Sequence, residues 1–356
     1  MSVLGERLKT LTTRMGVRTF GMAVALLESN FIENLVRLRQ NGRALLAGPS
    51  GSAVGAIQPA VSSSHPAPLE RSRLRSDQSS GSVPVVFIHQ QNSEHLKYSL
   101  AQAKASNPRS TVFLLGDDSN SQHPCVEHHH FRDYFTGAAE FEDVYKHYST
   151  HSPDFERLCF QRWFILRDFL TAHQIEKCVY LDSDVLLYGN VTEDMAKFRL
   201  FDFTVCWNTI GCVLFVNRVE GLARFCQFIM DIYTKKDEYH YDKMVAQFAV
   251  RQKHHLKGGA TDMTAFELYG ELNFGRVGEA SYIIDGSTYD PNINMPQPGF
   301  EMADKIKKVI WQDHQPYGIY VPTGEMVRFN SLHFNGNKAK ALMPDYCTAL
   351  VDQPAR

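Results

Sequence analysis

Two acids stand two residues apart in the stretch KCVYLDSDVLLYGNV, positions 177–191: Asp182 and Asp184, with four apolar residues on either side of the triplet. Carboxylates that close repel each other, and burying either without a counter-charge is costly, so they belong at a strand end beside a cation or water. In a strand, residues i and i+2 share a face, so both side chains converge on one point while Ser183 turns away. Convergent hard oxygens suit Mg²⁺ or Mn²⁺, and such a cation commonly brings a phosphate-bearing substrate. The plainer reading, exposed turn acids that cap the next segment, sits poorly with the apolar flanks.

The elements that position these acids alternate from Val83 onward. VPVVFIH is an apolar run of strand length, SEHLKYSLAQAKASNP has helical periodicity and stops at Asn107-Pro108, and STVFLLGDD is a second strand. DFERLCFQRWFILRDFLTAH then forms an amphipathic helix leading into KCVYLDSDV, a third buried strand. Strands buried on both faces and separated by helices predict an α/β fold with a mostly parallel sheet, whose ligands bind at the carboxyl ends of the strands. VEGLARFCQFIMDIY reads as a further amphipathic helix, and YDPNINMPQPGF as a long loop.

VYLDSDVLL resembles the DxD motif of nucleotide-sugar glycosyltransferases with the GT-A fold. Two later segments add to the resemblance: NTIGCVLFVN (208–217) is similar to the Asn-x-Gly-Val-Leu segment of family 8, the glycogenin-like retaining transferases, and LHFNGNKAK (332–340) to its His-x-x-Gly-x-x-Lys segment. Order and approximate spacing agree over roughly Val83 to Met343. The resemblance implies a GT-A, Rossmann-like domain over 83–350 that moves a hexose from a nucleotide-diphosphate sugar to an acceptor hydroxyl with retention of configuration.

Carried over by position, the resemblance makes Asp182, Asp184 and His333 ligands of Mn²⁺ or Mg²⁺, the imidazole being a sensible third donor. Gly336 would let the backbone approach a phosphate, and Lys338 would neutralise the departing diphosphate. Lys338 stands one residue early for that role and Lys340 one late, so the two compete. His89, Gln90 and Asn92, after the first strand, would line base and ribose. Gln90 stands where the family often has Asp and can read a uracil or a guanine edge, with a UDP-sugar preferred over a GDP-sugar as donor. Arg162 would reach the donor, with Arg157 and Arg167 as rivals at helical spacing.

Asp262, with Met263 in place of the family's Gln, would face the sugar, bonding its hydroxyls or stabilising developing charge at the anomeric carbon. A helix N-terminus at Thr261 or Asp262 is the compatible alternative. Asn208, one residue further from Gly211 than in the family, is a candidate for donor or acceptor contact, and Trp207 beside it could stack on an acceptor ring.

Other classes fit less well. The motif also matches the opening of haloacid-dehalogenase-type Mg-dependent phosphatases, with Asp182 as nucleophile, but Gly116-Asp117 precedes it where an acidic Gly-Asp segment should follow. HPCVEHHH, with His123, Cys125, His128, His129 and His130, suggests zinc, yet its ligands are crowded and lack a second paired cluster. The net charge of −2 and the lack of a basic aromatic stripe argue against nucleic acid as a partner.

With 356 residues and 44% hydrophobic content the chain can bury a large core. Seven scattered cysteines without a Cys-x-x-Cys pair read as reduced thiols of a cytoplasmic protein. The first 82 residues carry ten Lys or Arg against five Asp or Glu, a net of about +5 there and about −7 on the remainder. Residues 1–46 read as a helical extension suited to peripheral membrane contact, oligomerisation or targeting, and 47–82 as a flexible linker. No apolar run reaches the ~20 residues of a transmembrane helix. The acceptor, carbohydrate, lipid or protein, is left open.

Overall fold

The computed structural model describes residues 81–350. The expected N-terminal helical extension, and all but the last two residues of the expected linker, lie outside the described residues.

The strands are β1 (Val85–Ile88), β2 (Val112–Gly116), β3 (Glu127–His130), β4 (Cys178–Leu181), β5 (Val185–Leu187), β6 (Phe203–Val205), β7 (Val213–Val216), β8 (Val277–Glu279), β9 (Ser287–Tyr289), β10 (Met302–Ala303), β11 (Ile306–Lys307), β12 (Ile310–Gln312), β13 (Gln315–Tyr320) and β14 (Glu325–His333). The helices are α1 (Leu96–Ser106), α2 (Thr136–Val144), α3 (Pro153–Ala172), α4 (Val191–Asp194), α5 (Val219–Tyr233), α6 (Glu238–Lys253), α7 (Asp262–Leu272), α8 (Asn337–Lys340) and α9 (Met343–Tyr346).

Among the described residues a central sheet runs in the order β3-β2-β1-β4-β7-β6-β8. Neighbours pair in parallel except β7, which is antiparallel to both β4 and β6. The expected α/β fold with a mostly parallel sheet flanked by helices is therefore present. Its strands are continuous apolar runs because each face meets a separate core. Val86, Leu115, Cys178 and Tyr180 pack with α3, α5 and α7 residues such as Phe164, Phe225 and Phe266. Val85, Phe87, Leu114, Val179 and Leu181 pack with Leu96 and Leu100 of α1 on the other side. Burial of each such side chain contributes about 1.5–3 kcal/mol, which holds the strand tips in place.

Helix α3 carries one wall of the site, and its start is written in the sequence. Ser152 accepts a hydrogen bond from the Phe155 amide, Pro153 occupies the first turn, and Asp154 and Glu156 complement the helix dipole there. Buried Phe160, Trp163, Phe164 and Phe169 make the core face, and Arg162 beside them is left at its margin.

The segment 177–187 corrects the expectation of one buried strand. It forms two, β4 in the central sheet and β5 in a second sheet of order β12-β13-β14-β5, with β9 on β14. Asp182, Ser183 and Asp184 are the corner between them, closed by the Val185 amide donating to the Asp182 carbonyl at 3.1 Å. The carboxylates converge through a turn and not through the pleat of a strand. Among the described residues no helix is long and apolar enough to cross a membrane, and all seven cysteines are free thiols.

Candidate metal and donor site

The acidic corner is held from three directions. The Asp182 amide donates to Cys212 O at 2.9 Å, the Ser99 hydroxyl to Ser183 O at 2.6 Å, and the Phe334 amide to Asp184 O at 2.8 Å. Strand β14 pairs antiparallel with β5, setting His333 opposite Val185. This one register brings a histidine about 150 positions away in sequence onto the acids. Ligand atoms of Asp182, Asp184 and His333 all lie within 4.8 Å of one another.

The histidine is oriented for ligation. Its Nδ1–H donates to the Pro291 carbonyl at 2.6 Å. A carbonyl only accepts, so Nδ1 carries a proton, and Nε2, 3.4 Å from Asp184 Oδ1, faces the acids: as a proton donor it pairs with Asp184, and it would present its lone pair to a divalent cation that displaced that proton. Two carboxylates and an imidazole converging in this way are a donor set that fits a divalent cation.

Each acid has its own counter-charge. Asp184 has His333 on one oxygen and Lys340 Nζ at 3.2 Å from the other. Burial alone would push its carboxyl up, but His333 and Lys340 hold it well below the usual carboxylate range. Burial lifts the Asp182 carboxyl, and Arg162 only partly counters that, with the Asp184 charge adding to the rise. Asp182 Oδ1 accepts from Tyr180 Oη at 2.7 Å and from Arg162 at 2.5 Å.

Arg162 extends this network to Asp262. Its second nitrogen donates to Asp262 Oδ2 at 2.7 Å, an atom that also accepts from Trp163 Nε1 at 3.1 Å. The guanidinium stacks over the Trp163 ring at 4.5 Å. Arg162 is thus the arginine of α3 at the acids. Arg157 pairs with Asp154 and Glu142, and Arg167 with Asp168. Asp262 itself is the first residue of α7, with Thr261 as the N-cap, so it is a helix-start residue and a site residue together.

The remaining candidates fall on the rim or on a neighbouring turn. His89 follows β1, is hydrogen-bonded to Ser93 Oγ at 3.0 Å, and stacks edge-on to His95. Burial, then the positive fields of His95 and Lys340, lower its pKa to about 4. Gln90 and Asn92 are exposed at the same sheet edge. Trp207 and Asn208 are half-buried and both left-handed, at φ 49° and 61°. Glu279 pins that turn by accepting the Trp207 amide at 2.9 Å and the Asn208 amide at 2.6 Å. Gly336 has φ 87°, a conformation that itself calls for glycine. The structure brings Lys340 to Asp184 and leaves Lys338 exposed on α8.

Sequence reading missed Tyr180, Trp163, Glu279, His95 and the loop residues behind His333. Tyr180 was within reach, since a polar tip two positions before Asp182 shares its strand face. The others act through pairings no local pattern reveals. The rival readings gain nothing from the geometry: the Asp117 carboxylate caps the turn after β2 and accepts from the Gln91 and Ser119 amides. In the histidine stretch, His128 is bonded to Asn120, and His129 to Glu127 and Tyr134.

No protein-family model matches the chain, and no curated protein sequence does. Several solved structures are similar. The apo crystal structure of mouse xyloside xylosyltransferase 1 is 11% identical over 56% of this chain and 84% of that one, with a TM-score of 0.37. The bifunctional glycosyltransferase WbbM is 13% identical over 77% of this chain and 50% of that one, TM-score 0.42. An active-site mutant of LgtC is 12% identical over 76% of this chain and 98% of that one, TM-score 0.39.

Proposed function

We propose that the described body is a GT-A glycosyltransferase of the family 8 type, moving a hexose from a nucleotide-diphosphate sugar to an acceptor hydroxyl with retention of configuration. The observation that carries this is the convergence of Asp182, Asp184 and His333 at the carboxyl edge of a mostly parallel sheet. Those three side chains would hold Mn²⁺ or Mg²⁺, which when bound supplies Lewis-acid polarisation of the diphosphate.

The chain's own residues do the rest. His89, neutral above about pH 4, offers hydrogen bonds without adding charge, and with Gln90 and Asn92 it faces the base and ribose of a UDP- or GDP-sugar. Lys340, already beside Asp184, neutralises the diphosphate as negative charge builds, and Lys338 on the exposed side of α8 is available to its outer oxygens. Asp262, fixed by Arg162 and Trp163, presents negative charge toward the sugar, with Asn208 on the Glu279-pinned turn as a second polar contact. In transfer, the bond from the anomeric carbon to the diphosphate oxygen breaks, a bond to the acceptor oxygen forms, and the hydroxyl proton passes to the departing diphosphate.

The test is a panel of UDP- and GDP-sugars incubated with the full chain and Mn²⁺, with nucleotide release followed by chromatography. Slow release that stops with a chelator and in Asp184→Asn is expected. Cleavage of phosphomonoesters with no attack on any nucleotide sugar would overturn the reading in favour of a phosphatase.

A further inference from the structure

Behind His333 lies a charge pair that touches neither the acids nor solvent. Lys307 of β11 and Asp290 are both 0% exposed, with Nζ and Oδ1 2.7 Å apart. An ion pair stripped of water carries a desolvation penalty that its attraction barely repays, and an apolar pair of similar volume is often as stable. Stability is therefore a weak reason for its presence. Its contacts supply a stronger one.

The segment from Asp290 to Ile293 wraps His333 on three sides. Asp290 Oδ2 accepts the His333 amide at 3.1 Å, Pro291 O accepts the ring Nδ1–H at 2.6 Å, and the Ile293 amide donates to His333 O at 2.9 Å. Lys307 ties this segment on both sides of Pro291, pairing with Asp290 and donating to Asn292 O at 2.6 Å. Its own amide donates to Ile293 O at 2.7 Å. The ammonium thus fixes the one carbonyl that sets the tautomer and ring angle of His333.

We infer that the buried Lys307–Asp290 pair is a positioning device for the candidate cation site, clamping the Pro291 carbonyl so that His333 Nε2 faces Asp182 and Asp184. The inference rests on the proposed role of these three residues as metal ligands. Groups that orient a ligating histidine typically change metal affinity about 10–100-fold when removed.

Isothermal titration of the full chain with Mn²⁺ alone tests it. The double variant D290N/K307M removes both charges while the carboxamide oxygen that replaces the carboxylate can still accept the His333 amide, so no lone buried charge is created. The expected result is a folded protein, by circular dichroism and urea titration, whose Mn²⁺ affinity falls about 10–100-fold. Folded protein with unchanged affinity overturns the clamp, while loss of binding in His333→Ala in the same series leaves the metal reading standing. A wild-type chain that binds no Mn²⁺ overturns both. Should D290N/K307M not fold, the apolar pair D290L/K307M takes its place. If neither folds, the pair serves the stability of the whole body and the inference fails.

Discussion

Arg162 is the point at which stability and the candidate site meet, and replacing it by Met should show both. Its guanidinium pairs with Asp182 at 2.5 Å and Asp262 at 2.7 Å, acids whose side chains are 19% and 5% exposed. Methionine keeps the apolar stem against Trp163 but strands two carboxylates near each other in a low-dielectric pocket. Breaking a buried ion pair from one side costs about 3–5 kcal/mol. At a urea dependence of about 3 kcal/mol/M, the metal-free unfolding midpoint should fall by about 1–2 M. By contrast Arg157→Met, which breaks an exposed pair with Asp154, should cost less than about 1 kcal/mol. Adding Mn²⁺ at about 100 times its dissociation constant stabilises a one-site binder by about 2.7 kcal/mol. Measured against the metal-free wild type, R162M with Mn²⁺ should therefore regain most of its loss, because the cation becomes the counter-charge of Asp182. A midpoint drop no larger than that of Arg157→Met, or a loss that Mn²⁺ leaves in place, would refute the view of Arg162 as the charge balance of the two acids.

Three further outcomes follow from neighbouring geometry. Burial holds His89 to a pKa of about 4 in the folded chain, so below about pH 6.5 the unfolded chain takes up a proton that the folded chain refuses. Stability should fall between pH 6.5 and 4 by up to about 2–3 kcal/mol, and His89→Asn should flatten that part of the urea-midpoint profile; parallel profiles would refute it. Glu279→Ala removes an acceptor of the Trp207, Asn208 and Ser281 amides, of which the Ser281 amide is buried while the Trp207 amide keeps Ser281 Oγ at 3.1 Å, and should cost about 1–3 kcal/mol; a change of less than about 0.5 kcal/mol in urea denaturation would contradict it. Gly211→Ala would place a methyl 2.7 Å from the Trp163 ring and 2.9 Å from Phe266. It should cost about 1–3 kcal/mol and shift Trp163 fluorescence, because that indole carries the bond to Asp262; an unchanged spectrum would contradict the close packing.

The elements were legible where their signal is local. The strand 85–88, the helix 96–106 that stops before Asn107-Pro108, and the helix 219–233 all lie where the apolar period and that Asn-Pro stop put them. The sheet's mostly parallel character followed from strands buried on both faces. The corner at Asp182–Asp184 was misread as one strand because an apolar run is blind to a change of sheet. Apolar residues on either side of a turn can be buried in different cores, as Val179 and Leu186 are. Of the site, the acids, His333, Arg162 and Asp262 could be singled out by type and by resemblance. What joins them could not, because the β5–β14 register and the wrap of 290–293 around His333 are long-range pairings. The choice between Lys338 and Lys340 shows the same limit. Both sit on one short helix, where positions two apart face opposite sides, and the structure turns Lys340 toward Asp184.

On the proposed reading, Asp182, Asp184 and His333 grip one divalent cation at the sheet's carboxyl edge. Crystals of the full chain soaked in Mn²⁺, measured at a wavelength where manganese scatters anomalously, test it most directly. A single strong anomalous peak between the two carboxylates and Nε2 of His333, absent from Asp184→Asn crystals, is the predicted result. A map with no peak there, or one in which the three side chains turn away from a peak elsewhere, would overturn the proposed cation site.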